Sequence, residues 1–377
     1  MRWPLYRPHM PPEVELLVAG VFSSGQIASG PNVAKFREML GDYLGNSSIA
    51  TAGDISTALS ICLFQSGVRP GDDVLMSPLV CLSTSSPVRN LFANVRWCDV
   101  DPNTGNIDAA DIPRKVGPRT KAVVVYHWAG NPAELEPIQS AARELDLAVI
   151  EDAGEALGAE YRGRKIGATG SDYTVFSFYP NRHLTTIDGA AISCGNNVDV
   201  ERVRWLTRYG VDQNSFRSED GEINPESDVP IAGWNTYLNN VAATIGVAQM
   251  KHVSDIVMRH QQNGLYFDDR FAGISGLRVL SRPEKSRSAY WVYTFLAERR
   301  DPLLRRLRLR GVQASKVHIR NDIYSGFGGR GGALPGVDLF SDRYLSIPCG
   351  WWVTEEDRIQ IADIVCEEAA NALIPGA

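Results

Sequence analysis

The 377 residues carry 38 Lys and Arg against 44 Asp and Glu, a formal charge of −6, with 44% hydrophobic, 9% aromatic and 22% charged residues. This is ordinary globular usage, so a mainly disordered chain is excluded, and the length exceeds one compact core and suits a large domain plus a smaller one. An acidic balance leaves no basic footprint for nucleic acid or an anionic membrane surface, so a small molecule or another protein is the expected partner. Cys62, Cys81, Cys98, Cys194, Cys349 and Cys366 form no C-x-x-C pair, which indicates neither a zinc site nor a disulfide framework. No basic-then-apolar leader and no apolar run near the roughly 18 residues of a membrane span are present, and a cytoplasmic location is expected.

In chain order, residues 33–44 carry apolar side chains at helical spacing and predict an amphipathic helix. Runs at 73–77, 95–99, 121–126 and 147–151 are apolar and free of proline, as buried strands are, and 133–145 supplies another amphipathic helix between breakers. Alternation of this kind from about residue 30 to 195 predicts a mostly parallel sheet with crossover helices, an α/β fold. Ligands of such sheets sit beyond the carboxyl ends of the strands, which places His127, Asp152 and the Ser177 region where a site belongs. Residues 239–271 predict one long helix. After it come strands at 278–280 and 290–297, the segment 302–310, a strand-like stretch at 312–317, a Gly-rich loop at 326–332 and a final helix at 354–373 opened by Thr354 and three acidic residues. The division expected is a large α/β domain with an N-terminal arm over 1–250 and a small α+β domain over 251–377.

The run VIEDAGEALGAEYRGRKIG at 149–167, followed by FSFYPNRHLTTIDG at 176–189, resembles the DegT family of sugar aminotransferases, which use pyridoxal phosphate on the aspartate-aminotransferase-like fold of type I. SGQIASGP at 24–31, GDDV at 71–74, DVDP at 99–102, GWN at 233–235 with GVAQ at 246–249, and IPCGWWVTEED at 347–357 agree in order, so the resemblance covers nearly the whole chain. It implies a homodimer with sites shared at the subunit interface and substrates that are ketosugars attached to nucleotides.

The same resemblance assigns Asp152 to the cofactor's ring nitrogen and Ser177 to its phosphate. It also puts Arg182 where the family has the lysine that forms the Schiff base. A guanidinium is always protonated and a poor nucleophile, so Arg182 forms no ordinary internal aldimine and shuttles no proton. Lysine-less relatives, the sugar dehydratases, use pyridoxamine phosphate with a histidine at this position; here the histidine comes one residue later, at His183. The phosphate-binding turn is written Asp54-Ile-Ser-Thr57, with a carboxylate where a dianion belongs and only Ser56 and Thr57 to contribute hydroxyls. Cys81 stands where an aromatic ring would stack on the cofactor. The neighbouring subunit's motif keeps Asn235 and has Tyr237 instead of arginine.

Glu155 is the remaining carboxylate for acid–base work beside Asp152, and the two close carboxylates are expected to split their pKa values. His127 is read as a cleft-lining acid–base group, and His183, His318, Arg320, Tyr324, Cys81 and Asp54 as substrate-side residues. The first reading is an enzyme acting on a sugar or similar polar intermediate without an internal aldimine, through Arg182, Asp152, Glu155 and His127. The alternatives are noncovalent pyridoxal or pyridoxamine phosphate supporting a dehydration or half-reaction, and a noncatalytic partner of an active relative.

Overall fold

The computed structural model describes residues 1–196 and 198–373. An N-terminal arm leads into α1 (Glu13–Ser24) and α2 (Pro31–Leu44). Strands and helices then alternate through β1 (Ile49–Ala52), α3 (Ile55–Gln65), β2 (Asp73–Met76), α4 (Leu82–Asn90), β3 (Asn94–Trp97), α5 (Ile112–Lys115), β4 (Thr120–Tyr126), α6 (Leu135–Glu144) and β5 (Ala148–Asp152). The short β6 (Glu160–Tyr161) and β7 (Arg164–Lys165) precede β8 (Tyr173–Ser177), β9 (Ala190–Cys194) and α7 (Val200–Leu206). The rest of the chain holds α8 (Asn240–Met250), α9 (Val253–Phe271), β10 (Leu277–Val279), β11 (Ser286–Arg287), β12 (Tyr293–Ala297), α10 (Arg300–Leu309), α11 (Pro335–Arg343), β13 (Tyr344–Ile347) and α12 (Glu355–Ala372).

One seven-stranded sheet has the order β1-β9-β8-β5-β4-β2-β3, with β9 antiparallel to both neighbours and β3, β2, β4, β5 and β8 mutually parallel. Its strands are apolar on both faces because helices cover both. Ala122, Val124 and Tyr126 of β4 point to the face packed by Leu59 and Leu63 of α3 and Val88 of α4. Val123 and Val125 point to the opposite face, against Phe36 and Leu40 of α2 and Leu135 and Ile138 of α6. Each fully buried aliphatic side chain of this kind contributes about 1.5–3 kcal/mol. A second, antiparallel sheet, β10-β12-β13, is backed by α9, α10 and α12 around Phe267, Phe271, Phe295, Leu307 and Ile361. The Thr354 side chain and Asp357 form a capping box at the start of α12.

Two expectations are corrected. The single helix over 239–271 is two helices, because at Lys251 and His252 the amide bonds shift from the fourth to the third preceding carbonyl (Ala248 and Gln249), which tightens and ends α8. No proline or glycine marks the break. The stretch 312–317 makes only single bridges, Trp3 with Val312 and Ser315 with Ser346, and is not a strand.

Those bridges show what the N-terminal arm does. Trp3 pairs beside the small sheet, the Leu5 amide donates to Gln313 Oε1 at 2.9 Å, and Gln249 of α8 donates to the His9 carbonyl. Tyr6 lies between these anchors and is carried over the cleft between the two sheets.

The turn between β8 and β9 holds Ile187 at φ +75 with its side chain 59% exposed. A β-branched residue is strained there and its side chain gains little burial in return. Ile187→Gly is therefore expected to raise stability by about 1 kcal/mol in chemical denaturation; equal or lower stability would show that the turn carries no such strain.

Candidate active site

Parallel strands deliver their last residues to one rim: Tyr126 from β4, Asp152 from β5 and Ser177 from β8. In register, Tyr126 lies opposite Asp152 and Val125 opposite Glu151. Asp152 is buried, and its two oxygens accept from the Thr84 hydroxyl at 2.6 Å and the Gly154 amide at 3.0 Å. Burial pushes its carboxyl up, and those two donors and Arg182 offset this only in part. Gly154 is needed for the close approach: a Cβ there would lie 3.1 Å from both Asp152 Oδ1 and Ile55 Cδ1 and 3.4 Å from Ser177 Cβ.

Beside Asp152 the structure gathers Arg182, Glu155, His318 and Tyr126. Glu155 is 1% exposed; Oε2 accepts from the Ala129 amide at 2.9 Å, and Oε1 accepts from Arg182 Nη1 at 3.3 Å and His318 Nε2 at 2.8 Å. Since an ionised carboxylate only accepts, His318 carries its proton on Nε2, where the Tyr126 hydroxyl also lies within 3.0 Å. Burial pushes the Glu155 carboxyl up, but His318 and Arg182 outweigh it and the net shift is downward. Burial likewise disfavours the Arg182 charge, and Glu155, Tyr126 and Asp152 more than compensate. Asp152 and Glu155 are thus driven apart, one toward the neutral acid and one toward the anion.

The Arg182 guanidinium lies 4.6 Å from the centre of the Trp291 ring, with its Nε buried and unbonded. Trp291 is held by its indole N–H to the Asn181 carbonyl at 2.5 Å and by its amide to the Ala129 carbonyl at 3.0 Å. Tyr6 stacks on Trp291 at 4.9 Å, and the His318 ring lies parallel to it at 6.0 Å. Tyr6, Thr84, Tyr126 and Trp291 were not singled out from the sequence. Tyr126 alone had a signal there, as the last residue of a strand on the same face as Asp152.

At the N-terminus of α3 the Asp54 side chain accepts from the Thr57 amide at 2.8 Å and the Thr57 hydroxyl at 2.7 Å. The cap therefore occupies the helix end with a carboxylate and takes the Thr57 hydroxyl with it; Ser56 stays half-buried in the first turn. Asp188 is close enough for Asp54, after burial, to push its carboxyl up. Cys81 is half-buried at the N-cap of α4, with no cap bond from its side chain.

Several expected site residues are engaged elsewhere. His127 follows Tyr126, so strand alternation turns it to the opposite face, where Nε2 lies 2.8 Å from Glu151 Oε2 and Nδ1 accepts from the Ala133 amide at 3.1 Å. It is fully buried and does not line the cleft. His183 faces the Ala289 carbonyl at 3.0 Å with its ring 4.6 Å from that of His260, a packing position, and burial holds it well below the usual histidine range. Arg320 is clamped by Asp322 and Asp338. Asn235 is exposed and Tyr324 half-buried; neither meets the Arg182 cluster. Of the expected residues after α10, His318 is the one that enters it.

The sequence model of the DegT/DnrJ/EryC1/StrS aminotransferase family matches residues 10–366. The chain belongs to this family. It is 31% identical to the GDP-perosamine synthase of Caulobacter vibrioides over 296 residues, 76% of each chain. Among solved structures, the sugar aminotransferase CalS13 from Micromonospora echinospora is similar at 32% identity and a TM-score of 0.91, covering 97% of this chain and 100% of that one. AtS13 from Actinomadura melliaura is similar at 31% identity and a TM-score of 0.91, covering 97% and 98%. The fold is thus that of the type I pyridoxal-phosphate enzymes.

Within the DegT/DnrJ/EryC1/StrS family the expected cofactor is pyridoxal phosphate, and the residues present do not fit it. Asp54 caps the helix end with negative charge, and Arg182, which the resemblance sets at the family's lysine position, is tied to Glu155; Asp152, with one donor on each oxygen, keeps capacity for another. Of the seven lysines, Lys165 donates to the Tyr43 carbonyl and Lys316 pairs with Asp301; among the described residues none bonds to Asp152, Glu155 or Ser177.

Glu155→Gln strands the buried Arg182 charge and should cost about 3 kcal/mol in urea denaturation at neutral pH, while adding Arg182→Met should restore much of it. Because the folded pKa of Glu155 is lowered, its contribution is full above the unfolded carboxyl value of about 4.3 and is lost as pH falls through the folded one. Additive losses in the two variants would show that the pair is not coupled.

Proposed function

We propose that this chain is an enzyme of sugar biosynthesis that works on the sugar-aminotransferase scaffold without an internal aldimine. The observation that carries the reading is the Arg182–Glu155 pair on the Trp291 face, with Arg182 at the position where the resemblance sets the family's reactive lysine. The substrate class comes from the relatives, whose names include GDP-perosamine synthase and UDP-4-amino-4-deoxy-L-arabinose–oxoglutarate aminotransferase: a ketosugar carried by a nucleotide, or a similar polar intermediate. A homodimer sharing its sites and a cytoplasmic location belong to the same proposal.

The chemistry these groups support is proton transfer next to a carbonyl. Glu155, held as the anion, accepts the proton, and His318 and the Ala129 amide keep its carboxylate aimed. Arg182, whose Nη2 makes no hydrogen bond among the described residues, stabilises the oxygen on which charge develops. Asp152, pushed toward its neutral form by burial, is the proton donor. Tyr6 and Trp291 supply the aromatic wall against which a sugar ring packs and help to exclude water.

A second reading, noncovalent pyridoxamine phosphate, is favoured by Asp152 standing at the end of β5 with Ser177 beside it. Two measurements separate the readings. Exchange of solvent deuterium into a keto nucleotide-sugar, followed by NMR without added cofactor, is expected and should fall at least ~100-fold in Glu155→Gln. Stoichiometric uptake of pyridoxamine phosphate, seen as near-ultraviolet absorbance, with exchange only in its presence would overturn the first reading for the second. Isolation solely as a complex with a lysine-bearing relative, inactive alone, would instead make the chain a noncatalytic partner.

A further inference from the structure

Two consecutive tryptophans, Trp351 and Trp352, stand outside the Arg182 cluster, yet both of their indoles reach the N-terminal arm. Trp352 donates through Nε1 to the Pro4 carbonyl at 3.0 Å, and Trp351 donates through Nε1 to the Arg7 carbonyl at 3.3 Å. Gly350 allows this fit, because a Cβ there would collide with the Trp352 ring. Between the two carbonyls, the Leu5 amide donates to Gln313 Oε1; ahead of them, the Trp3 indole donates to Asp357 Oδ1 at 2.7 Å. The arm is therefore held on either side of Tyr6.

Trp3 and Leu5 are buried, whereas Tyr6 is half-buried, with its ring stacked on Trp291 at 4.9 Å and 23° between the planes. Trp291 is bonded to the Asn181 carbonyl and carries the Arg182 guanidinium 4.6 Å from its ring centre. The phenol thus stands in the field of the cleft's charged pair. Burial first, then the Glu155 charge, push it above the usual tyrosine range, and Arg182 opposes them, so the group remains a neutral hydroxyl that can donate. That hydroxyl makes no hydrogen bond among the described residues, and its oxygen is not buried. A stacking wall alone requires only a ring, which phenylalanine would supply equally well. A donor clamped in place beside the Arg182–Glu155 pair, and left without a protein acceptor, is free for the molecule that enters the cleft.

We propose that the Tyr6 hydroxyl is a specificity-determining group of the cleft, donating a hydrogen bond to a sugar hydroxyl next to the reacting carbonyl, and that Trp351 and Trp352 are positioning residues that act through the arm. This role rests on the reading of the Arg182 cleft as a sugar site and adds to it which substituent is recognised. A site that pairs with a hydroxyl rejects the analogue lacking it, because its own polar group is then left without a partner.

Calorimetric titration of the full chain with UDP-4-keto-6-deoxyglucose, and with the analogue of it that lacks the hydroxyl beside the keto group, tests this. The native chain should bind the hydroxylated probe roughly tenfold more tightly than the deoxy probe, the scale of one hydrogen bond. Tyr6→Phe, which keeps the ring and its stacking, should weaken the hydroxylated probe roughly tenfold and leave the deoxy probe unchanged. Trp352→Phe, which removes the donor to Pro4, should reduce the preference for the hydroxylated probe and add nothing further in the Tyr6→Phe background. Equal affinity of the native chain for the two probes, or a Tyr6→Phe loss that is the same for both, overturns the role of the hydroxyl. A Trp352→Phe loss that persists undiminished in the Tyr6→Phe background overturns the positioning role. Binding of neither probe at millimolar concentration is a different outcome: it overturns the sugar-site reading itself, and the role of Tyr6 with it.

Discussion

A buried arginine paired with a buried glutamate is the constraint on which the rest of this cleft depends. Removing two charges from water costs several kcal/mol per ion, and the cost is met only when each finds good partners. Glu155 finds them in Arg182, His318 and the Ala129 amide, and Arg182 in Glu155 and the Trp291 face. Each partner has been placed by something else: Ala129 by a turn at φ +53 after β4, His318 by the small domain, Trp291 by a segment running beside residues 129–130. The closed electrostatic unit thus ties the rim of the large sheet to the segment after α10 that carries His318, and Tyr6 of the N-terminal arm stacks on its Trp291.

This arrangement also gives a physical account of the substitutions around it. A reactive amine must lose its proton; burial favours that loss, and carboxylates placed as Asp152 and Glu155 are here oppose it. A permanent cation needs the opposite, a partner that stays ionised, and Glu155 is pushed in that direction. At the end of α3, Asp54 satisfies the helix that a phosphate would otherwise satisfy. Both features support the proposed absence of an internal aldimine.

Most of the sheet was legible from its sequence, because strands 73–76, 120–126 and 148–152 are short, largely apolar runs, the last two ending at the rim in Tyr126 and Asp152. Asp152, Glu155 and Arg182 were legible through the resemblance of their motifs. His127 was misplaced for a reason that pattern alone exposes afterwards: a strand turns successive side chains to opposite faces, and with Tyr126 on Asp152's side, His127 meets Glu151 instead. Thr84, Trp291 and Tyr6 reach the cleft through contacts more than sixty residues apart in sequence, which no local signal encodes. The same holds for the break at residues 251–252, where the helical pattern continues across the end of α8.

The central assignment is that Arg182 has replaced the amine through which relatives bind their cofactor, and that no other side chain has taken its place. Incubating the native chain and Arg182→Lys with pyridoxal phosphate, reducing with borohydride and mapping the peptides by mass spectrometry tests it directly. No stoichiometric adduct on the native chain is the expected result. A one-to-one adduct at a single lysine of the native chain would contradict the assignment, whatever the variant does.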